Sequence, residues 1–216
     1  MVEFWLIRHA ESEVNLLNRE FVAGRSSWAE LTPHGIAQAS ALKLYVKKNN
    51  IQFSKVICSP TIRAQQTARF GIPQRVDYIS PLITEINLGS WEGQFRHEVY
   101  TKNILKQLKK DSWNFLPPHG ESQKDVFERT LSLLQQEISS SKKNDRVAVI
   151  THGYVIKFLL SGLNFVPKNT AFTIPIGNTS ITVVEFSQAS FKEKVRNNLL
   201  HLQELGLHYR GGVYEV

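Results

Sequence analysis

Residues 2–15 read VEFWLIRHAESEVN, and the prediction of the fold starts from this stretch. Residues 4–7 are a short apolar run, which is typical of a strand buried on both faces of a parallel sheet. The run ends abruptly at Arg8 and His9. Because ligands of open α/β sheets bind in the crevice outside the carboxyl ends of the strands, we expect these two side chains to point into such a crevice.

The chemistry of this pair has two interpretations. A guanidinium is a planar fork that matches phosphate oxygens, and a neutral imidazole beside it can attack phosphorus. Alternatively, Arg8 and His9 are ordinary polar residues at a strand end, where arginine and histidine are common. The pair alone does not decide between a site and a plain surface.

Size and composition restrict the class of protein. With 216 residues, 42% hydrophobic and 21% charged, the chain has an ordinary globular composition and room for one α/β domain rather than two. Its apolar runs fall far short of the ~20 residues that a membrane span needs, so no membrane partner is expected. Met1 and Val2 lead straight into the first strand and Cys58 is the only cysteine, so we expect a cytoplasmic protein without a disulfide.

The net charge of +7 and the sequence pI near 9.5 favour anionic partners. The lysines occur singly or in pairs such as Lys47-Lys48 and Lys109-Lys110, without an aromatic stripe or a known nucleic-acid-binding motif. Nucleic acid is therefore not expected as the main ligand.

Strand and helix signals alternate along the rest of the chain. Thr32 and Pro33 are a typical N-cap and first residue of a helix, and the apolar spacing continues that helix to about residue 48. Ser59 and Pro60 are expected to open another helix. Further strands are predicted at residues 55–58, 76–79, 146–150 and 180–186, and further helices at residues 98–110, 126–138 and 155–163.

This succession predicts a single α/β domain over residues 1–216. We expect three layers, with a mostly parallel sheet and helices on both of its faces. A small helical insert at about residues 95–120 is expected to lie over the site. The tail from residue 191 is too irregular to assign.

Three further residues have the chemistry of a site. His152 follows the predicted strand at residues 146–150, so a second histidine lies at a second strand end. Arg63 comes early in the helix that starts after Ser59 and Pro60, which places it at the same sheet edge. Glu85 begins an unpatterned loop, where an exposed carboxylate is the ordinary interpretation and a functional one the alternative.

Six stretches, taken in order, resemble the histidine phosphatase superfamily, also called the phosphoglycerate mutase-like family. They extend from about residue 3 to about residue 186. A lone Arg-His pair is weak evidence, whereas six motifs in the family's order and spacing are specific. The stretches are LIRHAESEVN, LTPHGIAQA, CSPTIRAQQTA, LITEINLGSWEG, GESQKDVFERT and VAVITHGYVIKFLL.

The resemblance implies a role for each of these positions. His9 would be the nucleophile that takes the phosphoryl group, and Glu85 would be the proton donor, whereas Glu11 and Glu92 would not be. Phosphoryl oxygens would be held by Arg8, Arg63 and His152. The substrate-binding positions would be Asn15, Gly24 and Gly153, although Asn15 and Gly24 are equally typical of turns.

The function that follows is hydrolysis of a phosphomonoester through a covalent phosphohistidine. Cationic side chains can stabilise the charge that spreads over the phosphoryl oxygens, so neither a metal nor another cofactor is expected. A small-molecule phosphomonoester is the expected substrate, with a phosphoprotein as an alternative. A cofactor-dependent phosphoglycerate mutase is the rival enzyme, although dedicated mutases carry a longer insert. A catalytically silent phosphate-binding module is a third interpretation.

Two segments leave alternatives open. Many family members have Asp and Pro shortly before the Leu-Thr pair of the first loop, whereas this loop is about one residue longer. Its Arg25 and Trp28 either face the substrate or pack outside the pocket. In the predicted insert, Lys102, Lys106 and Lys109 share one helix side, which is either solvated surface or a means of steering a multiply charged substrate.

Overall fold

The computed structural model describes residues 1–17 and 20–208, and within them six strands form one sheet. In chain order these strands are β1 (Val2–Arg8), β2 (Lys55–Cys58), β3 (Tyr78–Ile79), β4 (Asp145–Thr151), β5 (Ile181–Ser187) and β6 (Ser190–Asn198). Across the sheet the order is β3-β2-β4-β1-β5-β6. The first four strands in this order are parallel, and β5 and β6 join antiparallel. The predicted α/β fold with a mostly parallel sheet is confirmed.

Helices cover both faces of the sheet. One face packs against α2 and α3, and the opposite face against α6 and α7. The helices are α1 (Glu13–Leu17), α2 (Pro33–Lys48), α3 (Ile62–Gly71), α4 (Arg96–Val99), α5 (Lys102–Asp111), α6 (Gln123–Ser140), α7 (Gly153–Gly162) and α8 (Leu200–Gln203), with 3-10 turns at Pro81–Ile83, Gly89–Trp91 and Lys168–Thr173.

The central strand β1 explains why the opening stretch is apolar. Phe4 and Leu6 point into the core under α6 and α7, whereas Ile7 points into the core under α2 and α3. All three side chains are at most 1% exposed. Full burial of such a side chain contributes roughly 1.5–3 kcal/mol, so both layers stabilise the strand whose end carries Arg8.

The start of α2 agrees with the prediction from the sequence, whereas the start of α3 differs from it. The hydroxyl of Thr32 caps α2 by accepting from the Gly35 backbone N at 2.9 Å. The helix α3 begins at Ile62 instead of at Pro60, because the Ser59 backbone N still pairs with Ile150 O at 3.0 Å as an extension of the sheet. Arg63 is therefore the second residue of its helix.

The predicted helix at residues 98–110 is two helices. The Tyr100 backbone N closes the end of α4 onto Arg96 O at 2.8 Å, and the hydroxyl of Thr101 accepts from the Ile104 backbone N at the start of α5. The third strand is shorter than predicted. The described part of the unassigned tail contributes most of β6 and all of α8, and residues 209–216 of that tail lie outside the described residues. Among the described helices, none has the length and apolar character to cross a bilayer.

Candidate active site

Five ionisable side chains lie buried together at the carboxyl ends of β1 and β4. They come from these two strand ends, the first turn of α3 and the loop after the 3-10 turn Pro81–Ile83. Ionisable groups are seldom buried in such number, so the cluster is the candidate site. Its members and their exposed fractions are Arg8 (7%), His9 (3%), Arg63 (1%), Glu85 (8%) and His152 (0%).

A cavity of about 60 Å³ opens onto this cluster, and we call it the phosphate cavity after the group that the sequence resemblance predicts for it. Four of the five clustered side chains line it, and His152 does not. The ring of His152 lies behind the cavity wall, 5.2 Å from the ring of His9 between centroids. The predicted positions on the lining are Arg8, His9, Asn15, Gly24, Arg63, Glu85 and Gly153.

The hydrogen bonds of His9 determine which ring nitrogen carries the proton and which carries the lone pair. Its Nδ1 lies 2.8 Å from Ala10 O. Since a carbonyl oxygen only accepts, Nδ1 carries the proton and Nε2 carries the lone pair. Nε2 accepts from Arg63 Nε at 3.2 Å. Burial, reinforced by the charges of Arg63 and Arg8, holds the pKa of His9 well below its usual value, so the ring is neutral.

Arg63 joins the cluster to the first loop. Its Nη1 donates to Ser26 O at 2.7 Å and its Nη2 donates to Arg25 O at 2.9 Å. These carbonyls fix the guanidinium plane against His9. Burial lowers the pKa of Arg63 to about 10, which leaves it charged at neutral pH.

His152 contacts Arg63 from the other side. Its Nδ1 accepts from Arg63 Nη2 at 3.3 Å, and its Nε2 lies 2.7 Å from Ser59 Oγ. Because a guanidinium only donates, the proton of a neutral His152 is on Nε2. Burial holds the pKa of His152 well below its usual value, helped by the charge of Arg63. In this arrangement the contact of His152 with the cavity wall runs through Arg63, and a role of His152 in holding phosphoryl oxygens stays a prediction.

Arg8 is fixed by the loop before β5. Its Nη1 donates to Ile176 O at 2.6 Å. On the opposite side, a Cβ at Gly153 would lie 3.4 Å from Arg8 Nε, so the first residue of α7 packs closely against the guanidinium. Neighbouring backbone therefore sets the angle at which Arg8 enters the cavity.

Glu85 is held by two backbone donors. Its Oε1 accepts from the Ile86 N at 3.0 Å, and its Oε2 accepts from the Tyr154 N at 3.4 Å. Burial raises the pKa of Glu85, and these hydrogen bonds and the nearby arginines only partly oppose the rise. A carboxyl group in this state is suited to donate a proton to a group in the cavity.

The other predicted positions have defined contacts. Asn15 Oδ1 accepts from the Ser12 N at 3.0 Å and from Asn178 Nδ2 at 3.4 Å. Gly24 has a φ of +51°, and a Cβ there would lie 2.1 Å from Glu92 Oε1. Only glycine fits this point of the lining without displacing Glu92.

The open question about the first loop is answered by its contacts. Arg25 pairs with Glu121 at 3.3 Å, and Trp28 is 58% exposed. Neither side chain lines the phosphate cavity. Arg25 and Trp28 therefore pack outside the cavity, and the loop acts on it through the carbonyl groups that hold Arg63.

Several lining residues were not singled out from the sequence. Lys157 is 5% exposed, its Nζ donates to Phe172 O at 3.0 Å, and burial lowers its pKa to about 8. Arg96 and Tyr100 reach the cavity from α4 and its end, and Tyr154 lines it from α7. Lys157 lies four residues after Gly153, which is a signal for a shared helix face. No local sequence pattern identifies Arg96 or Tyr100 as residues of the cavity lining.

The described residues contain no group of three His, Cys, Asp or Glu side chains with the geometry of a metal site. The expectation of metal-independent chemistry stays a prediction. Positive charge at the cavity comes from Arg8, Arg63, Arg96 and Lys157.

A neutral imidazole between arginines, at the carboxyl ends of parallel strands, is an arrangement suited to phosphoryl transfer through histidine. The sequence model of the histidine phosphatase superfamily (branch 1) matches residues 4–199. The chain belongs to this family, and the resemblance seen in the sequence is confirmed.

Relatives within the family include both phosphatases and mutases. A broad-specificity phosphatase of Saccharomyces cerevisiae is 26% identical over 95% of this chain and 88% of its own length. A 2,3-bisphosphoglycerate-dependent phosphoglycerate mutase of Methylobacterium sp. is 31% identical over 76% of this chain and 82% of its own. The crystal structure of an Entamoeba histolytica phosphoserine phosphatase in complex with 3-phosphoglyceric acid superposes with a TM-score of 0.79 at 29% identity, covering 94% of this chain and all of the other.

Proposed function

We propose that this protein hydrolyses small phosphomonoesters through a phosphohistidine formed on His9, with Glu85 as the proton donor. The observation that carries the proposal is the state of His9. Its Nδ1 is tied to Ala10 O, so Nε2 carries the lone pair, which accepts from Arg63 Nε at 3.2 Å at the lining of the phosphate cavity. A phosphoryl oxygen that takes over this hydrogen bond from Arg63 frees the lone pair to attack phosphorus. The phosphatases among its relatives support the same reaction.

In the first half of the reaction, Nε2 of His9 attacks phosphorus as the bond from phosphorus to the ester oxygen breaks. Arg8 and Arg63 neutralise the charge on the phosphoryl oxygens. The leaving oxygen takes a proton from Glu85, the carboxyl group at the cavity whose pKa burial raises. The products of this step are the alcohol, a phosphohistidine and the Glu85 carboxylate.

In the second half, a water molecule attacks phosphorus and the bond to His9 breaks. Glu85, now a carboxylate, takes a proton from that water and is ready for the next cycle. His152 and the carbonyl groups of Arg25 and Ser26 keep Arg63 in position throughout. Inorganic phosphate leaves the cavity, and no co-reactant other than water is needed.

Trapping the intermediate tests the proposal. A turnover with 32P-labelled substrate, quenched in alkali, is expected to leave acid-labile, base-stable label on His9, and His9→Ala is expected to abolish both label and turnover. The same assay in EDTA is expected to give unchanged turnover, because side chains supply the charge stabilisation. Label on another residue, or persistent turnover by His9→Ala, would overturn the mechanism.

A mutase is the second candidate, since one of the relatives described above carries that name. A mutase must shield its phosphohistidine from water until the acceptor hydroxyl is in place. The short insert, α4 and α5, favours hydrolysis. With 3-phosphoglycerate and a bisphosphoglycerate primer, released phosphate is expected to exceed 2-phosphoglycerate, and the opposite ratio would favour the mutase.

A further inference from the structure

A second cavity of about 320 Å³ adjoins the phosphate cavity. The two share Leu88, Arg96, Tyr100 and Tyr154 in their linings, so an ester bound at His9 has the second cavity as its neighbour. We call the second cavity the aromatic pocket, defined by the rings of Trp91, Tyr100, Phe115, Tyr154 and Phe172.

The rings of the aromatic pocket form two walls. Tyr154 meets Phe172 edge-on at 5.6 Å, and these two come from α7 and the 3-10 turn Lys168–Thr173. Trp91 lies 5.6 Å from Phe115 and 6.0 Å from Tyr100 on the side of the insert. Such walls favour a flat aromatic group, because aromatic rings gain from stacked and edge-to-face contacts beyond simple burial.

Two polar side chains on the same lining have no hydrogen-bond partner within the described part of the chain. The nitrogen and the oxygen of the Gln123 side-chain amide are both buried without a partner, and so is the hydroxyl of Ser112. Gln123 is 2% exposed and Ser112 is 8% exposed. A buried polar group without a partner is costly, so these groups suggest a ligand that supplies hydrogen bonds.

The acidic side chain on this lining, Glu121, is already paired with basic side chains. It forms ion pairs with Arg25 at 3.3 Å and with Arg129 at 3.0 Å. Arg96, on the border of the two cavities, stacks on Tyr100 at 4.8 Å. Arg96 and Lys109 also line the pocket, so it offers rings, neutral hydrogen-bonding groups and two cations to an occupant, while its acidic charge is neutralised from within.

We propose, resting on the phosphatase function above, that the aromatic pocket holds the alcohol portion of the substrate. This portion is a flat aromatic group with a hydrogen-bonding substituent on the edge remote from the phosphate. The rings sandwich its faces, while Gln123 and Ser112 bond its polar edge. Substrates with only a small polar alcohol portion leave the pocket unused.

The test compares substrates with similar leaving groups, because a phenol leaves more easily than an alkyl alcohol. The wild-type enzyme is assayed with methyl phosphate, 2-naphthylmethyl phosphate and 7-hydroxy-2-naphthylmethyl phosphate, whose hydroxyl group cannot expel the phosphate by conjugation. We expect kcat/KM to rise about thirtyfold from methyl to naphthylmethyl through ring burial. A further rise of about tenfold is expected for the hydroxylated ring.

Variants test which side chains cause the preference for the ring and for its hydroxyl group. Phe115→Ala is expected to reduce the ratio of kcat/KM for naphthylmethyl over methyl phosphate. The control is Leu116→Ala, whose side chain is 60% exposed and not on the lining, and it is expected to keep the wild-type ratio. Gln123→Leu removes a buried amide without a partner, so it is expected to fold with at least wild-type thermal stability and to lose the preference for the hydroxylated ring.

The outcomes separate the two proposals. If no phosphomonoester is hydrolysed, including p-nitrophenyl phosphate, the proposed function fails. If methyl and naphthylmethyl phosphates are hydrolysed with equal kcat/KM, the function stands and the aromatic pocket is not the leaving-group site. An unchanged ring preference in Phe115→Ala, or an unchanged hydroxyl preference in Gln123→Leu, would also overturn the inference.

Discussion

Burial acts in opposite senses on His9 and Glu85. Removal from water disfavours the charged form of each group, so it lowers the pKa of the imidazole and raises the pKa of the carboxyl. A neutral imidazole can attack phosphorus, and a protonated carboxyl can protonate the departing oxygen. One physical cause therefore prepares both groups. Activity is expected to fall as pH drops through the pKa of His9 and as it rises through the pKa of Glu85.

Glu85→Gln separates the two uses of this carboxyl group. With an alkyl phosphate, kcat is expected to fall by roughly 10²–10⁴, the usual contribution of a general acid. With 2,4-dinitrophenyl phosphate the leaving group needs no proton, so a fast burst of phenolate is expected, followed by slow turnover because the second half still lacks its base. Rapid-mixing absorbance measures the burst.

Glu92→Gln is the matched control for Glu85→Gln. Glu92 accepts from the Arg25 and Leu88 backbone N atoms, both at 3.0 Å, and does not line the phosphate cavity. A glutamine keeps an acceptor oxygen in that place. A loss of the burst in Glu85→Gln, or the same kinetics in Glu92→Gln, would contradict the role proposed for Glu85.

At the scale of elements, the first loop acts on the site through its backbone. Gly24 and Gly93 both have positive φ, +51° and +83°. A Cβ at Gly24 would meet Glu92, whereas a Cβ at Gly93 would have no described atom within 4 Å apart from its own residue and the two neighbouring residues. Gly93→Ala is expected to cost about 1 kcal/mol of backbone strain. Gly24→Ala is expected to cost roughly a further 1–3 kcal/mol from crowding.

The two alanine variants are compared by urea unfolding and by kcat/KM. Gly24→Ala is expected to lower kcat/KM as well as stability. Ser26 comes two residues after Gly24, and its carbonyl group orients Arg63, so a shift of the backbone at Gly24 would move that carbonyl group. Gly93→Ala is expected to keep the wild-type kcat/KM. Equal losses in both variants would mean that Gly24 contributes only its conformational freedom.

The sequence predicted the elements whose pattern is local and apolar. The strands β1, β2 and β4 and the capped helix α2 follow from apolar runs and from Thr32 and Pro33. The strand β6 was missed because it is an edge strand with polar residues on both faces, including Lys192 and Glu193, and such edges carry charge instead of an apolar alternation. The break after α4 was missed because the apolar spacing continues across it, which hid the local N-cap signal of Thr101.

The same distinction applies to the site. Motifs beside strand ends led to Arg8, His9 and His152, since the sheet brings strand ends together. Asn178 was not found, although its Nδ2 donates to His9 O at 3.1 Å, because only the folded chain brings the segment before β5 next to β1. Its contribution depends on tertiary contacts that have no local sequence pattern.

The basic side of α5 is exposed at Lys102, Lys106 and Lys109, and Lys109 also lines the aromatic pocket. The apolar side of α5 is only half-buried, and its Leu105 and Leu108 line the aromatic pocket. The helix therefore packs its apolar side over a cavity instead of over a filled core. Steering of a multiply charged substrate by these lysines stays a prediction.

At the scale of the whole molecule, buried histidines couple stability to pH. His9, His152 and His201 are at most 3% exposed, and burial lowers the pKa of each, that of His201 to about 4. In the unfolded chain a histidine titrates near 6.5, so below that pH the unfolded state binds protons that the folded state does not. Stability is therefore complete above about pH 6.5 and is lost as pH falls towards the folded pKa.

His201→Gln tests this coupling away from the reacting groups. His201 lies on α8, and its Nε2 is 2.9 Å from Thr179 Oγ1, a hydrogen bond that a glutamine amide can replace. Each such histidine lowers the free energy of unfolding by about 1.4 kcal/mol for each pH unit below about 6.5, until the pH reaches its folded pKa. Urea unfolding at pH 7, 6 and 5 measures the effect. In His201→Gln the free energy of unfolding is expected to fall less steeply with decreasing pH, by about that amount per pH unit.

The exposed His97 on α4 gives the control, His97→Gln, which is expected to keep the wild-type dependence of stability on pH. The same slope in His201→Gln and in wild type would assign the acid sensitivity to other groups.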